Sequence, residues 1–180
     1  MRFPGQTQVR FQAPALLCER GIGLRAANEG DLPFLALLYA QTRAAELAAV
    51  PWPDHIRQAF LDSQFALQHR HYVQQYPEAD FLVIHQGDLP VGRFYLAREI
   101  EDDLIVDIAL QPHWCGQGIG AVLIKATLQQ AAVHGRGVHL HVLNGNAGAR
   151  RLYERLGFQV VGDTGSHLHM RCAPAVAGAG

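Results

Sequence analysis

Three glycines stand within the six residues Cys115-Gly116-Gln117-Gly118-Ile119-Gly120, directly ahead of an apolar-periodic run. Glycines so placed let successive backbone N–H groups turn toward one point, and at a helix N-terminus such a nest binds phosphate or pyrophosphate. A plain tight turn has the same composition, so the loop alone does not decide the matter. Two nucleotide motifs fail on it. A Walker loop requires Lys and then Ser or Thr after its last glycine, where this chain has Ala121 and Val122. A dinucleotide fingerprint requires GxGxxG spacing and an acidic residue about 20 positions on; here the spacing is GxGxG and that region is Val138 to His141.

The ionisable residues suggest further chemistry. Asp107 stands in the apolar run Leu104 to Leu110 and by alternation shares a strand face with Ile105 and Ala109. A carboxylate among apolar neighbours is expected above its ordinary pKa, which moves it toward useful basicity at neutral pH. His141 is a second candidate base, on a neighbouring strand and with an ordinary pKa already near neutrality. His139 and His141 alternate on one strand and His167 and His169 on another. Four imidazoles on one sheet face can bind zinc, but no cysteine or carboxylate spacing accompanies them, and no metal is expected.

The elements that must position these groups follow from the rest of the chain. Its 180 residues fit one domain, and 49% hydrophobic against 17% charged residues is a folding composition. A formal net charge of -1 gives no basic surface for a phosphate backbone, so nucleic acid is not an expected partner. Cys18, Cys115 and Cys172 are odd in number and widely spaced, which suits a reducing cytoplasm better than a disulfide framework. No run reaches the ~18 apolar residues that span a bilayer, so no membrane association is expected.

Residues 1–20 read as an extension without clear period, 21–172 as the domain, and 173–180 as a flexible tail of small residues. Strand Ile22 to Ala26 leads to capping oxygens at Asn28 to Asp31 and a helix from about Pro33 to Ala48. Pro51 and Pro53 interrupt it before a second helix, about His55 to Tyr76. At 100° per residue that helix is apolar on two sides: Ile56, Phe60 and Leu67 form one stripe, Leu61, Phe65 and Tyr72 the other. The surplus stripe is compatible with a homodimer.

Strands Phe81 to His85 and Val91 to Ala97 flank the hairpin turn Gln86-Gly87-Asp88, and strand Leu104 to Leu110 follows the acidic turn Glu99 to Asp103. A helix of about Gly118 to His134, strand Val138 to Val142, helix Ala147 to Leu156 and a hairpin of Phe158 to Val161 with His167 to Arg171 complete the chain. Hairpins first and crossovers later imply an α/β fold with a mixed sheet, antiparallel in its front half with a parallel pair after the glycine loop, flanked by helices.

The loop Cys115 to Gly120 resembles the pyrophosphate arm of the GNAT superfamily, written Arg or Gln, any, any, Gly, any, Gly or Ala. The segment Asn146-Ala147-Gly148-Ala149-Arg150-Arg151-Leu152-Tyr153-Glu154-Arg155-Leu156-Gly157-Phe158 is similar to the closing motif of the same family. Two motifs in the right order and separation carry more weight than either alone, and the resemblance covers about Ile22 to Arg171. Cys115 departs from the usual Arg or Gln, and Gly148 from a common Arg.

The resemblance implies an acetyl-CoA dependent N-acyltransferase in which an amine attacks the thioester directly. It places Cys115, Gly116, Gln117, Gly118, Ile119 and Gly120 on the pyrophosphate, Asn146 on the coenzyme arm, and the backbone of Ala109 and Leu110, where the family's strand bulges, on the thioester carbonyl. Tyr153 matches the tyrosine that protonates the departing sulfur. Asp107 or His141 would take the amine proton, and the two would face each other as a dyad if their strands pair as in the family. Glu46, Trp52, Gln64, Gln68 and Tyr72 are expected to line the pocket for an amine acceptor, small molecule or protein. The acidic turn Glu99, Glu101, Asp102 and Asp103 is expected to draw in a cationic one. The alternative is an acyl-CoA binding or sensing domain of the same fold with weak turnover, favoured by Cys115 and Gly148.

Overall fold

The computed structural model of the protein describes residues 2–4 and 9–174. Of the tail expected from 173 on, residues 175–180 lie outside the described residues. After a short helix α1 (Ala15–Glu19) and strand β1 (Ile22–Ala26), Asn28 accepts from Gly30 N at 2.8 Å while Asp31 accepts from Asn28 N at 2.9 Å. This reciprocal cap starts the turn that leads into α2 (Leu32–Leu47), with Pro33 in its first turn. Pro51 and Pro53 separate α2 from α3 (Asp54–Gln75), which stops short of Pro77.

Strands β2 (Asp80–Gln86) and β3 (Leu89–Arg98) form the expected hairpin, with Gly87 at φ +54° in its turn. There follow β4 (Asp102–Leu110), α4 (Ile119–Ala132), β5 (Gly137–Leu143), α5 (Ala147–Arg155), β6 (Gln159–Asp163) and β7 (His167–Cys172). The seven strands make one sheet in the order β1-β2-β3-β4-β5-β7-β6, antiparallel throughout except for the parallel pair β4–β5.

Each sheet face has its own core. On one, Leu35 and Tyr39 of α2 and Leu61 and Phe65 of α3 bury Phe81, Tyr95 and Leu104. On the other, Leu17, Ile119, Leu123, Ile124 and Tyr153 cover Phe94, Leu96, Ile105, Leu140 and Met170. Although the first dozen residues lack a period, Phe3 packs edge-on against Phe81 and Phe11 against Phe94, so the segment preceding Gly21 contributes to both cores. The stripe Ile56, Phe60 and Leu67 faces outward, whereas Leu61 and Phe65 meet the sheet.

Strand β4 is irregular in two ways. The β3–β4 register passes from Leu96↔Ile105 to Tyr95↔Asp107, so Val106 is an extra residue, a β-bulge. Ile105 therefore packs in the α4-side core, while Val106 and Asp107 both lie on the α2/α3 side. Simple alternation puts Asp107 and Ile105 on one face; the bulge separates them. Nor does the strand bulge at Ala109 and Leu110, which pair regularly with Arg93 and Gly92. The second irregularity is that β4 and β5 pair only from Asp102↔Gly137 to Ile105↔Leu140, and beyond that point the two strands part.

Candidate functional site

Where β4 and β5 part, a cavity of about 620 Å³ opens, lined from both sides of the sheet. Tyr39, Thr42, Arg43 and Glu46 of α2, Gln68 and Tyr72 of α3, Arg93 and Asp107 line it from one side; Ile108, Val142, Asn146 and Tyr153 line it from the other, and His141 and His167 are also in the lining. Of the residues expected to contact an acceptor, Glu46, Gln68 and Tyr72 are in the lining. Trp52 and Gln64 are not; Trp52 stacks edge-on with Phe60 at 5.1 Å. Tyr39, Thr42, Arg43, Arg93 and His167 belong to the cavity but were not expected there. Arg93 alone left a signal in the sequence, a lone charge within the apolar run Val91 to Ala97.

The glycine loop lies at the N-terminus of α4. Gly116 and Gly118 have φ of +75° and +82°, a region that costs side chains other than glycine. Among the described residues no acceptor is hydrogen-bonded to the N–H groups of Gly116 to Ala121, and the first closing bond is Val122 N to Gly118 O at 3.0 Å. Space above Gly116 and Gly118 is open. Unpaired donors, an open approach and the positive end of a 14-residue helix fit a pyrophosphate. Cys115 contributes a thiol that burial pushes above its ordinary value, so it brings no charge to the loop. Ile108 connects loop and cavity, since it lines the cavity and lies 3.8 Å from where a side chain on Gly120 would begin.

Asp107 is not the carboxylate among apolar neighbours that the sequence suggests. Its Oδ2 accepts from Arg93 Nη2 at 2.7 Å and from the Tyr72 hydroxyl at 3.1 Å, and Arg93 Nη2 also donates to Gln68 Oε1 at 3.0 Å. Burial works hardest against the Arg93 charge, but the Asp107 carboxylate together with Tyr95 and Tyr72 outweighs it, and the guanidinium stands above its ordinary pKa. Burial, reinforced by the Asp107 charge, also raises the Tyr72 hydroxyl.

Tyr153 is buried against Phe158, and burial together with the Asp107 charge pushes its hydroxyl up to about 12. Asn146 caps α5, its side-chain oxygen accepting from Ala149 N at 3.1 Å; that leaves the amide NH₂ free to face the cavity it lines.

The Asp107–His141 dyad is not formed. Asp107 lies past the last β4–β5 pair and is held by β3 and α3, while His141 stacks on His169 of β7 with ring centroids 4.7 Å apart. His139 Nδ1 and His169 Nε2 share a hydrogen bond of 3.1 Å. Burial, and then the neighbouring imidazoles, lower the His141 pKa, and His169 is lowered by burial and His139. Among the described residues no group of three or more His, Cys, Asp or Glu is arranged to hold a metal ion.

The acidic turn is occupied elsewhere. Asp102 accepts from Arg171 at 2.6 and 2.9 Å and from Gly137 N at 3.0 Å, Asp103 stands 2.9 Å from Arg136, and Glu99 3.4 Å from His139. None of Glu99, Glu101, Asp102 and Asp103 lines the cavity, so the expected attraction of a cationic acceptor by this turn has no structural support. No helix among the described residues is long and apolar enough to cross a membrane.

Comparison with known proteins gives this architecture its relatives. Residues 77–160 match the family described as acetyltransferase (GNAT) domain. Among solved structures, the chain is similar to the PaiA N-acetyltransferase of Thermoplasma acidophilum in complex with coenzyme A, with a TM-score of 0.65 at 16% identity, covering 84% of this chain and 98% of that one. It is similar also to an acetyltransferase of Thermus thermophilus, with a TM-score of 0.60 at 18% identity over 83% of this chain and 94% of that one. A third is YncA, a putative acetyltransferase of Salmonella typhimurium with its cofactor acetyl-CoA, with a TM-score of 0.53 at 19% identity over 89% and 97%. No curated protein matches the chain.

Proposed function

We propose that this chain, whose residues 77–160 match the acetyltransferase (GNAT) domain and whose fold is that of solved acetyltransferases, is a GNAT enzyme that transfers the acetyl group of acetyl-CoA to an amine. The observation that carries the proposal is the parting of β4 and β5 near the unpaired N–H groups of Gly116 to Ala121, which joins an anion-binding loop to a cavity lined from both faces of the sheet. Acetyl-CoA, when bound, supplies an activated acyl thioester.

The protein's own residues divide the remaining work. Loop N–H groups, from Cys115 to Gly120 and into the first turn of α4, hold the pyrophosphate oxygens. The free amide of Asn146 and the edge of β4 at Ala109 and Leu110 guide the arm. Glu46, Gln68 and Tyr72 face the acceptor. Tyr153 keeps its proton on Oη throughout the neutral range, because its pKa lies near 12. Complete transfer to a thiolate of ordinary pKa, about 8.5, would be uphill by roughly 5 kcal/mol. Tyr153 therefore acts as a hydrogen-bond donor to charge developing on sulfur, not as a full acid.

His141 is the better proton acceptor of the two candidates. Asp107 Oδ2 is held by two donors, whereas among the described residues none is hydrogen-bonded to the ring nitrogens of His141. Its lowered pKa leaves it neutral, and so able to accept, at pH 7. A base works only above its pKa, so kcat at saturating acceptor should fall as pH drops through a value below the ordinary imidazole range of about 6.5. In His141→Asn that acid limb should vanish along with roughly 10²-fold of the rate. An unchanged limb in the variant would hand the proton to another group.

Thiol release from acetyl-CoA, measured across a panel of amines, tests the function as a whole. Coenzyme binding without release for any amine would favour a sensing domain, and absence of binding would remove both readings.

A further inference from the structure

On the α2/α3 side of the cavity, a buried ion pair is only half used. Arg93 is 3% exposed, and Nη2 serves both Asp107 and Gln68. Its Nε is enclosed with no hydrogen-bond partner. Nη1 donates to no described residue and is not among the enclosed atoms, so it opens onto the cavity that Arg93 lines. Asp107 repeats the pattern, with Oδ2 taken by Arg93 and Tyr72 while Oδ1 accepts from no described residue, is not among the enclosed atoms, and so opens to the cavity that Asp107 lines. A guanidinium edge and a carboxylate oxygen are thus presented side by side, locked to each other through Oδ2.

The charge of the lining points the same way. Arg43 and Arg93 balance Glu46 and Asp107, with Arg43 and Glu46 paired at 3.1 Å, and the acidic turn is engaged elsewhere. A polycation would find no excess of negative charge here. A molecule carrying an ammonium and a carboxylate a few bonds apart would meet both open atoms at once, its carboxylate accepting from Arg93 Nη1 and its ammonium donating to Asp107 Oδ1.

We propose that the acceptor is a zwitterionic amine of the free amino-acid type, its carboxylate received by Arg93 and its ammonium by Asp107 Oδ1 before the proton is lost. The assignment rests on the acetyltransferase reading and goes further by naming the acceptor's chemical class. The Arg93–Asp107 pair then acts as a specificity device. A site built around one polar group rejects analogues that lack it, because its own buried donors are left unpaired.

The test uses the full chain with saturating acetyl-CoA, following thiol release with matched acceptors: amino acids of several side-chain types, their amides, and the amines without the carboxyl group. The amino acids should exceed both analogues by roughly 10²-fold in kcat/KM. In Arg93→Lys, which keeps the charge but loses the forked donor geometry, the preference should fall to within a few-fold of unity, with coenzyme affinity unchanged. Should that variant fail to fold, the comparison of acceptors on the unmodified protein decides alone. Amides, N-terminal peptides or decarboxylated amines that match or exceed the amino acids would overturn the assignment while leaving the acetyltransferase reading intact. A preference for amino acids that survives Arg93→Lys would overturn the role of Arg93. Coenzyme binding with no amine accepted would sink the acetyltransferase reading and this assignment with it.

Discussion

Replacing Tyr153 with phenylalanine is expected to lower kcat by roughly 10²- to 10³-fold and to leave acetyl-CoA affinity nearly unchanged. The magnitude is that of a preorganised donor aimed at developing charge. The separation of the two effects comes from when the hydroxyl acts: charge on sulfur exists in the transition state and not in the bound ground state, so kcat and kcat/KM should drop together. Phenylalanine keeps the ring that packs in the α4-side core and near Phe158 at 5.9 Å, so the variant should fold. Steady-state kinetics beside a coenzyme binding isotherm measure both quantities. Full activity in a folded Tyr153→Phe protein would reduce this tyrosine to a packing residue.

The second large effect is expected at the loop. Gly118→Val should weaken acetyl-CoA binding at least tenfold, for two reasons that reinforce each other. A β-branched residue at φ +82° costs on the order of 1–3 kcal/mol of backbone strain, so the loop shifts to relieve it. The new side chain also projects into the open space above the unpaired N–H groups, where a phosphate must approach. The paired control is Gly120→Ala. Gly120 has no positive φ, and an added methyl carbon there would meet only Ile108, at an ordinary contact distance of 3.8 Å. That variant should bind coenzyme like the parent. Ligand-induced thermal stabilisation reads the difference, since a coenzyme at about 100 times its Kd adds roughly 2.7 kcal/mol, of which the valine variant, tenfold or more weaker, should forfeit about half or more. Equal stabilisation of both variants would place the anion site elsewhere.

Much of this arrangement is legible in the residues alone. Prolines, capping residues and period switches place the boundaries of α2, α3, β2 and β3 to within about two residues, and the glycine spacing locates the turn into α4. Register is not legible. Alternation assigns Asp107 to the face of Ile105, and nothing in the string Ile105-Val106-Asp107 announces that Val106 stands outside the count. Partnership is harder still. Asp102 and Asp103 read as a solvated or steering turn because Arg171 and Arg136, which neutralise them, are distant in sequence. Arg93 is within reach, since a lone guanidinium in an apolar strand needs a carboxylate and Asp107 is the one within the next apolar run. Phe3 and Phe11 escape notice because single anchors in an irregular segment have no period.

The bulge at Val106 also bears on how the chain folds. Were β4 to zip against β3 without it, every side chain from Asp107 to Leu110 would change faces, and the carboxylate would enter the apolar layer that holds Ile119 and Leu123. An unpaired buried charge of that kind costs several kcal/mol, and Arg93 would be stranded on the opposite face without its counter-ion. The misregistered strand is thus penalised twice by the same pair of residues. The ion pair of Asp107 and Arg93 therefore favours the bulged register over the regular one, and the two residues that line the cavity also help to fix the strand alignment that puts them there.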